Sequence, residues 1–296
     1  MRMKLVAVLG VACLWSSATF SADCTKTSVG LIPLKDGPGL YPDGMNTPAA
    51  AHVLRGSSLA AALKARPKNV LLSAGMSNSN QKFERFRRDE LATTDKAANL
   101  VIVNGASGHQ TAEDWANPND DAYVYANDRL TVHGATSADV GVLWVHLTEG
   151  ATADINAWKV KVLNDARQAL LTMTTKYPNV SMLLLSSRAY GGYETVGRGG
   201  IGLNPEPYAH AQGPLMKQLI TEHLQDSLLP DRWIAWAPYF WADGLIARSD
   251  GLIWKCSDFQ SDGVHPSGEG AMKASSILRN YFRGDAVARA WFLQTP

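Results

Sequence analysis

The sequence predicts an α/β fold: a three-layer α/β/α sandwich around a mostly parallel sheet of five strands. Two observations carry this. Short apolar runs alternate with amphipathic helical patterns along the chain. Polar, Gly-containing segments follow those runs at Gly75–Asn80, Asn104–Thr111, Thr148–Asp154 and Ser186–Tyr193. In open parallel sheets the ligand sits beyond the carboxyl ends of the strands, so a site is expected to assemble from these segments. No repeat, low-complexity tract or Pro/Ser-rich linker interrupts the chain, and 23–296 is expected as one domain.

The first residues stand apart. Arg2 and Lys4 form a positive start, Leu5 to Trp15 is apolar, and Ser16 to Ala22 is small and polar. This is the layout of a secretory signal peptide over 1–22, with cleavage after Ala18 or Ala22. The apolar run is too short to span a bilayer. Gly10-Val11-Ala12 before Cys13 fits a lipoprotein signal poorly. A secreted or periplasmic protein is expected. Cys24 to Pro48, rich in Gly, Pro and Asp, reads as an irregular lead-in.

Strands are then expected at Asn69–Ser73, Ala98–Val103, Val140–Leu147, Val180–Leu185 and Trp233–Ala237. Helical patterns occupy Ser57–Arg66, Lys82–Thr93, Asp120–His133, Asp154–Lys176, Glu206–Leu228 and Gly268–Phe282. The fourth of these has a clear apolar stripe: Ile155, Trp158, Val162, Ala166, Ala169, Leu170 and Met173.

Formal net charge is +1, and −1 once Arg2 and Lys4 are removed. No basic stripe or acidic tail argues for nucleic acid or an anionic membrane surface. The His and Cys residues show no zinc spacing, and neither a metal nor a cofactor is expected. Past the signal segment two cysteines remain, Cys24 and Cys256. An oxidising compartment permits a bridge between them, and two free thiols are the alternative.

Two segments carry candidate chemistry. Near the C-terminus, Asp262-Gly263-Val264-His265-Pro266 sets a carboxylate three residues before an imidazole, just ahead of a helix that Pro266 can open. The Asp can orient the ring and the ring can take a proton from a hydroxyl. Turn chemistry alone also explains Asp, Gly and Pro here. After the first strand, Gly75-Met76-Ser77-Asn78 places Ser77 where a nucleophile meets free backbone N–H groups. The alternative is that Ser77 or Ser79 caps a helix starting near Gln81.

Taken together, these segments resemble the SGNH (GDSL-like) hydrolases, nearest the sialate and xylan acetylesterase branch. That branch has Gly-Gln-Ser-Asn after the first strand, here with Met76 in place of Gln, and Asp-x-x-His late in the chain. The resemblance implies Ser77, Asp262 and His265 as the triad. It also implies an oxyanion site from the Ser77 and Gly108 N–H groups, with Gly108 read from Asn104-x-x-x-Gly108-x-x-Thr111 and Gly105 as its rival. The third motif departs: Trp144 matches, but His146 stands where Gln is usual, so His146 or Thr148 is the remaining oxyanion candidate, with a satisfied semi-buried histidine as the alternative for His146. Asn78, Arg188 and Tyr190 are expected to bind substrate, because a guanidinium fork and aromatic faces suit carboxylates and sugars; a buried structural network is the alternative for Arg188 and Tyr190. The likeness spans most of Asn69 to Phe282 and leaves out the tail Ala286 to Leu293.

The function implied is a secreted serine ester hydrolase that removes short acyl groups, acetyl above all, from a small-molecule or glycan ester. The alternatives are a carbohydrate-binding surface protein on the same scaffold, motivated by the missing third-motif Asn, and an acyltransferase with the same triad.

Overall fold

The computed structural model describes residues 22–195 and 202–295. The expected signal peptide, apart from Ala22, lies outside the described residues. The sheet has five strands: β1 (Asn69–Gly75), β2 (Leu100–Asn104), β3 (Val140–His146), β4 (Met182–Leu185) and β5 (Trp233–Trp236). Their order is β2-β1-β3-β4-β5, and every pairing is parallel. That is the flavodoxin-like order, in which the chain reverses direction between β1 and β3. Every residue of β1, β3, β4 and β5 is buried, which is why these strands read as continuous apolar runs rather than alternating ones.

Helices connect them: α1 (Ala50–Lys64), α2 (Ser77–Leu91), α3 (Ala112–Ala116), α4 (Asp121–Val132), α5 (Ile155–Lys176), α6 (Tyr208–Leu224), α7 (Gly268–Gly284) and α8 (Ala286–Phe292). Right-handed crossovers send the β1-to-β2 and β3-to-β4 helices to opposite faces, because the two connections run in opposite directions across the sheet. One layer accordingly packs α2 on α7 and α1 on α8, and the other packs α3 and α6 on α5. Phe83 of α2 stacks on Trp144 of β3 at 5.2 Å, and Phe86 stacks on Phe282 of α7 at 5.2 Å. The α5 stripe faces the core as expected, with Trp158, Val162, Ala166, Ala169, Leu170 and Met173 buried.

The strand and helix assignments hold, with boundaries moved by a few residues. The largest differences lie in α1, α2 and the tail. Helix α1 starts at Ala50 rather than Ser57 and runs through Gly56. That glycine is there for space: a Cβ would sit 2.6 Å from Trp233 and 2.9 Å from Val287. Helix α2 starts at Ser77, not near Gln81, with Met76 before it and no side-chain cap. Neither Ser77 nor Ser79 caps a later helix, because both hydroxyls are bonded to histidine rings instead. The tail forms α8, capped by Asp285, whose Oδ1 accepts from Val287 and Ala288 N–H, and it buries Trp291 and Phe292. The lead-in stays irregular apart from a short turn at Leu34–Asp36, and Cys24 and Cys256 are joined by a disulfide with Cα atoms 5.4 Å apart. The free-thiol alternative is set aside.

Candidate active site

Strand β1 ends at Gly75, whose φ of +145° lies outside the range L side chains ordinarily adopt. A Cβ there would also collide with Ser79 Oγ and the His146 carbonyl. The sharp turn this allows delivers Ser77 as the first residue of α2. The first N–H groups of a helix have no acceptor within it, so the Ser77 amide lies at the positive end of the α2 dipole. Asn80 N–H is the first to bond back, to Met76 O at 2.9 Å.

The Asp262–His265 turn meets this helix end from the start of α7. Ser77 Oγ lies 2.8 Å from His265 Nε2, and His265 Nδ1 lies 2.6 Å from Asp262 Oδ2. The other oxygen, Oδ1, accepts the backbone N–H groups of Val264 and His265 at 2.9 Å each. Gly263 makes the turn at φ +73°, its Cα packed against the Tyr193 carbonyl. Partial burial pulls the Asp262 carboxyl upward, but the bonds from Val264, His265 and the ring outweigh it and hold it below its ordinary value. Asp262 is thus an anion across the neutral range. All three side chains are half-buried, so the hydroxyl and ring remain open to a ligand.

The loop after β2 is tied to the same turn. Ser107 N–H donates to Gly75 O at 3.2 Å, and Asn80 Nδ2 donates to Ala106 O at 2.6 Å. Gly108 follows on this loop, exposed, with no hydrogen bond to its N–H among the described residues. Its rival Gly105 is occupied structurally: its N–H donates to Ser73 Oγ at 3.2 Å, and a Cβ would press 2.7 Å from Leu72.

Five candidate site residues are buried rather than open to a ligand. His146 has no exposed surface; its Nδ1 lies 2.8 Å from Ser79 Oγ and its ring stacks on Trp144. Burial, then the nearby Lys82 and Arg188 charges, push it well below its ordinary value, so it is neutral. A ring sealed in this way does not reach an oxyanion at the surface. Its alternative Thr148 is equally sealed and donates to Asn204 Oδ1 at 3.1 Å. Tyr190 is buried too, its hydroxyl donating to Lys26 O at 2.8 Å. Arg188 and Asn78 are buried at 4 % exposure each and line a small, narrow chamber rather than an open groove. The signal for this was present in the sequence as strand-end polar residues, but no pattern there separates a buried polar network from a groove lining.

A cavity of about 560 Å³ lies at the β5 edge, where Tyr41, Trp236, Tyr239 and Tyr281 contribute to its wall. It contains no triad residue. Of potential metal ligands, Glu113, Glu149 and Asp165 come within 4.8 Å of one another. Lys161 already answers that charge, at 2.7 Å from Glu113 and 2.6 Å from Asp165.

No family model matches the sequence, and no curated protein does. Some solved structures are similar to part of the chain. One is a carbohydrate esterase family 3 protein from Talaromyces cellulolyticus, 13 % identical over 71 % of this chain and 94 % of that one, TM-score 0.42. Another is a Bacillus subtilis protein, 12 % identical over 74 % of this chain, TM-score 0.42. A third is the salicylyl-acyltransferase SsfX3 of a tetracycline biosynthetic pathway, 10 % identical over 76 % of this chain, TM-score 0.41. The matched region spans only 58 % of the Bacillus protein and 57 % of the acyltransferase. The class rests on the chain itself: an α/β fold with an all-parallel, five-stranded sheet and a Ser–His–Asp constellation at its carboxyl edge.

Proposed function

We propose that the protein is a serine ester hydrolase of the SGNH kind, working outside the cytoplasm on short acyl esters of carbohydrates. One observation carries the reading: the continuous chain from Ser77 Oγ to His265 to Asp262, at 2.8 Å and 2.6 Å. It is the arrangement that makes a serine nucleophilic. As Ser77 Oγ bonds to the ester carbonyl carbon, its proton passes to His265 Nε2. Asp262 holds the ring and balances the imidazolium. The Ser77 and Gly108 N–H groups hold the oxyanion. His265 then returns the proton to the departing alkoxide. Water, deprotonated by the same nitrogen, releases the acid and restores Ser77. The acetyl and carbohydrate preference comes from the Gly-x-Ser-Asn motif alone. The export layout of residues 1–22 and the Cys24–Cys256 bridge support the location, since disulfides persist where conditions oxidise.

Hydrolysis is favoured over a purely binding role because the Ser77 hydroxyl faces His265 instead of capping its helix. The test is turnover of 4-nitrophenyl acetate and butyrate by residues 23–296, wild type beside Ser77→Ala. Loss of roughly 10⁴-fold or more in kcat on removing the nucleophile is expected. Equal activity in both proteins means the nucleophile lies elsewhere, and equal inactivity in two folded proteins rejects ester hydrolysis.

A further inference from the structure

Beside the nucleophile lies a narrow chamber of about 10 Å³, walled by Asn78, Lys82, Arg188, Asn204 and Val264 among others. Two of its walls are basic side chains, Lys82 at 3 % and Arg188 at 4 % exposure. Lys82 makes no ion pair among the described residues, and its Nζ lies 5.0 Å from the centre of the Phe240 ring. The stretches outside the description contain no Asp or Glu at all. Arg188 Nη2 meets Asn78 Oδ1 at 3.0 Å when that amide is turned to also donate to Val264 O at 2.9 Å. Among the described residues Arg188 Nη1 has no partner, and neither has the Nδ2 of Asn204. Glu194 attracts Arg188 from nearby, but its oxygens are taken by the N–H groups of Leu203 and Asn204.

A buried basic group without an acid beside it and an orphaned buried donor both destabilise the fold. Proteins carry such groups where something else completes them. We propose that this chamber is a site for one compact anion, held by Lys82, Arg188 Nη1 and Asn204 Nδ2. Its size admits a single water-sized or halide-sized body, or one oxygen of a carboxylate. Burial, then the Arg188 charge, drives the Lys82 amine well below its ordinary range, so an anion in the chamber would favour its protonated form. Arg188 is lowered by burial to about 10 and is still a cation at neutral pH. The occupant has two sources, a dissolved halide or an acid group carried by the substrate, since Asn78 and Val264 are the chain neighbours of Ser77 and His265. The inference rests on the buried donors and stands whether or not the protein cleaves esters.

The test titrates the mature chain with sodium bromide, sodium chloride and sodium formate against sodium gluconate, at fixed ionic strength. Melting temperature is the readout. A rise that saturates with halide, together with an anomalous bromide peak in the chamber of soaked crystals, assigns the site to a dissolved halide. Saturation with formate but not halide assigns it to a carboxylate. Lys82→Met moves half-saturation up by about tenfold or more, the worth of one charged hydrogen bond. The crystal soak needs no variant, so a misfolded Lys82→Met leaves the answer intact. Equal behaviour in all four salts with no bromide peak overturns the proposal and leaves the chamber to water.

Discussion

Asp262 grips His265 twice: Oδ2 lies 2.6 Å from the ring Nδ1, and Oδ1 lies 2.9 Å from the backbone N of the same residue. The double contact fixes both the ring's orientation and the turn that carries it. Asp262→Asn keeps an oxygen for the two backbone N–H groups but turns an NH₂ toward Nδ1. The proton then moves to Nε2, where it faces Ser77 Oγ and blocks proton uptake. Stability should change little, while kcat for 4-nitrophenyl acetate falls by about 10³–10⁴. A variant that retains more than a tenth of wild-type kcat contradicts the orienting role.

Gly75 should tolerate no side chain. Gly75→Ala puts a methyl against Ser79 Oγ and the His146 carbonyl at a φ of +145°. Strain and overpacking together are expected to cost about 2–4 kcal/mol. Urea unfolding measures this; a cost under half a kcal/mol would mean the turn relaxes freely.

Removing the bridge should loosen the lead-in. The bond joins residues separated by 232 positions and ties Cys24 to the segment just before the Asp262 turn. Cys24→Ser with Cys256→Ser is expected to lose about 2–4 kcal/mol of stability. Thermal melting of the double variant, compared with wild type under oxidising conditions, reads the effect. No difference in melting temperature contradicts it.

Stability should fall in acid because of Glu90. This side chain of α2 has no exposed surface and bonds Arg279 at 2.8 Å and Arg283 at 2.7 Å, both on α7. Burial raises its pKa, but the two guanidinium groups outweigh burial and leave it below its ordinary 4.5. A depressed carboxyl stabilises the fold above its unfolded value and loses that contribution as pH falls through the folded one. Melting temperature should therefore drop as pH is lowered below about 4.5, and the drop should shrink in Glu90→Gln, which starts less stable. An unchanged acid slope in that variant speaks against the network.

Glu149 works in the opposite sense. Burial pushes it up to about 7 against one backbone bond from Glu113. A raised carboxyl stabilises below its unfolded value, and the contribution is lost as pH climbs through about 7. Glu149→Gln should flatten the decline of melting temperature between about pH 5 and 8. A decline of the same steepness in the variant assigns it to other groups.

Much of this was legible in the residue order because it depends on local, periodic physics. Apolar runs of strand length and the α5 stripe led directly to the parallel sheet and its covering helices, since burial on both faces leaves no alternation. The pairing of an early Gly-x-Ser-Asn with a late Asp-x-x-His named Ser77, Asp262 and His265, which the fold then brings within hydrogen-bond reach. What the residue order left open depends on neighbours distant along the chain. The helix expected from Ser57 starts at Ala50 and takes in Gly56, whose missing side chain leaves space for Trp233, 177 positions later. Ser79 reads as a cap until His146 takes its hydroxyl. His146, Tyr190 and Arg188 look like surface donors at strand ends, and the packing above them seals them inside. Sequence by itself determined the elements and named the candidate triad, because hydrophobic period and short motifs are local. Tertiary structure alone decided which polar groups meet solvent and which meet each other, because burial is a property of the assembled layers.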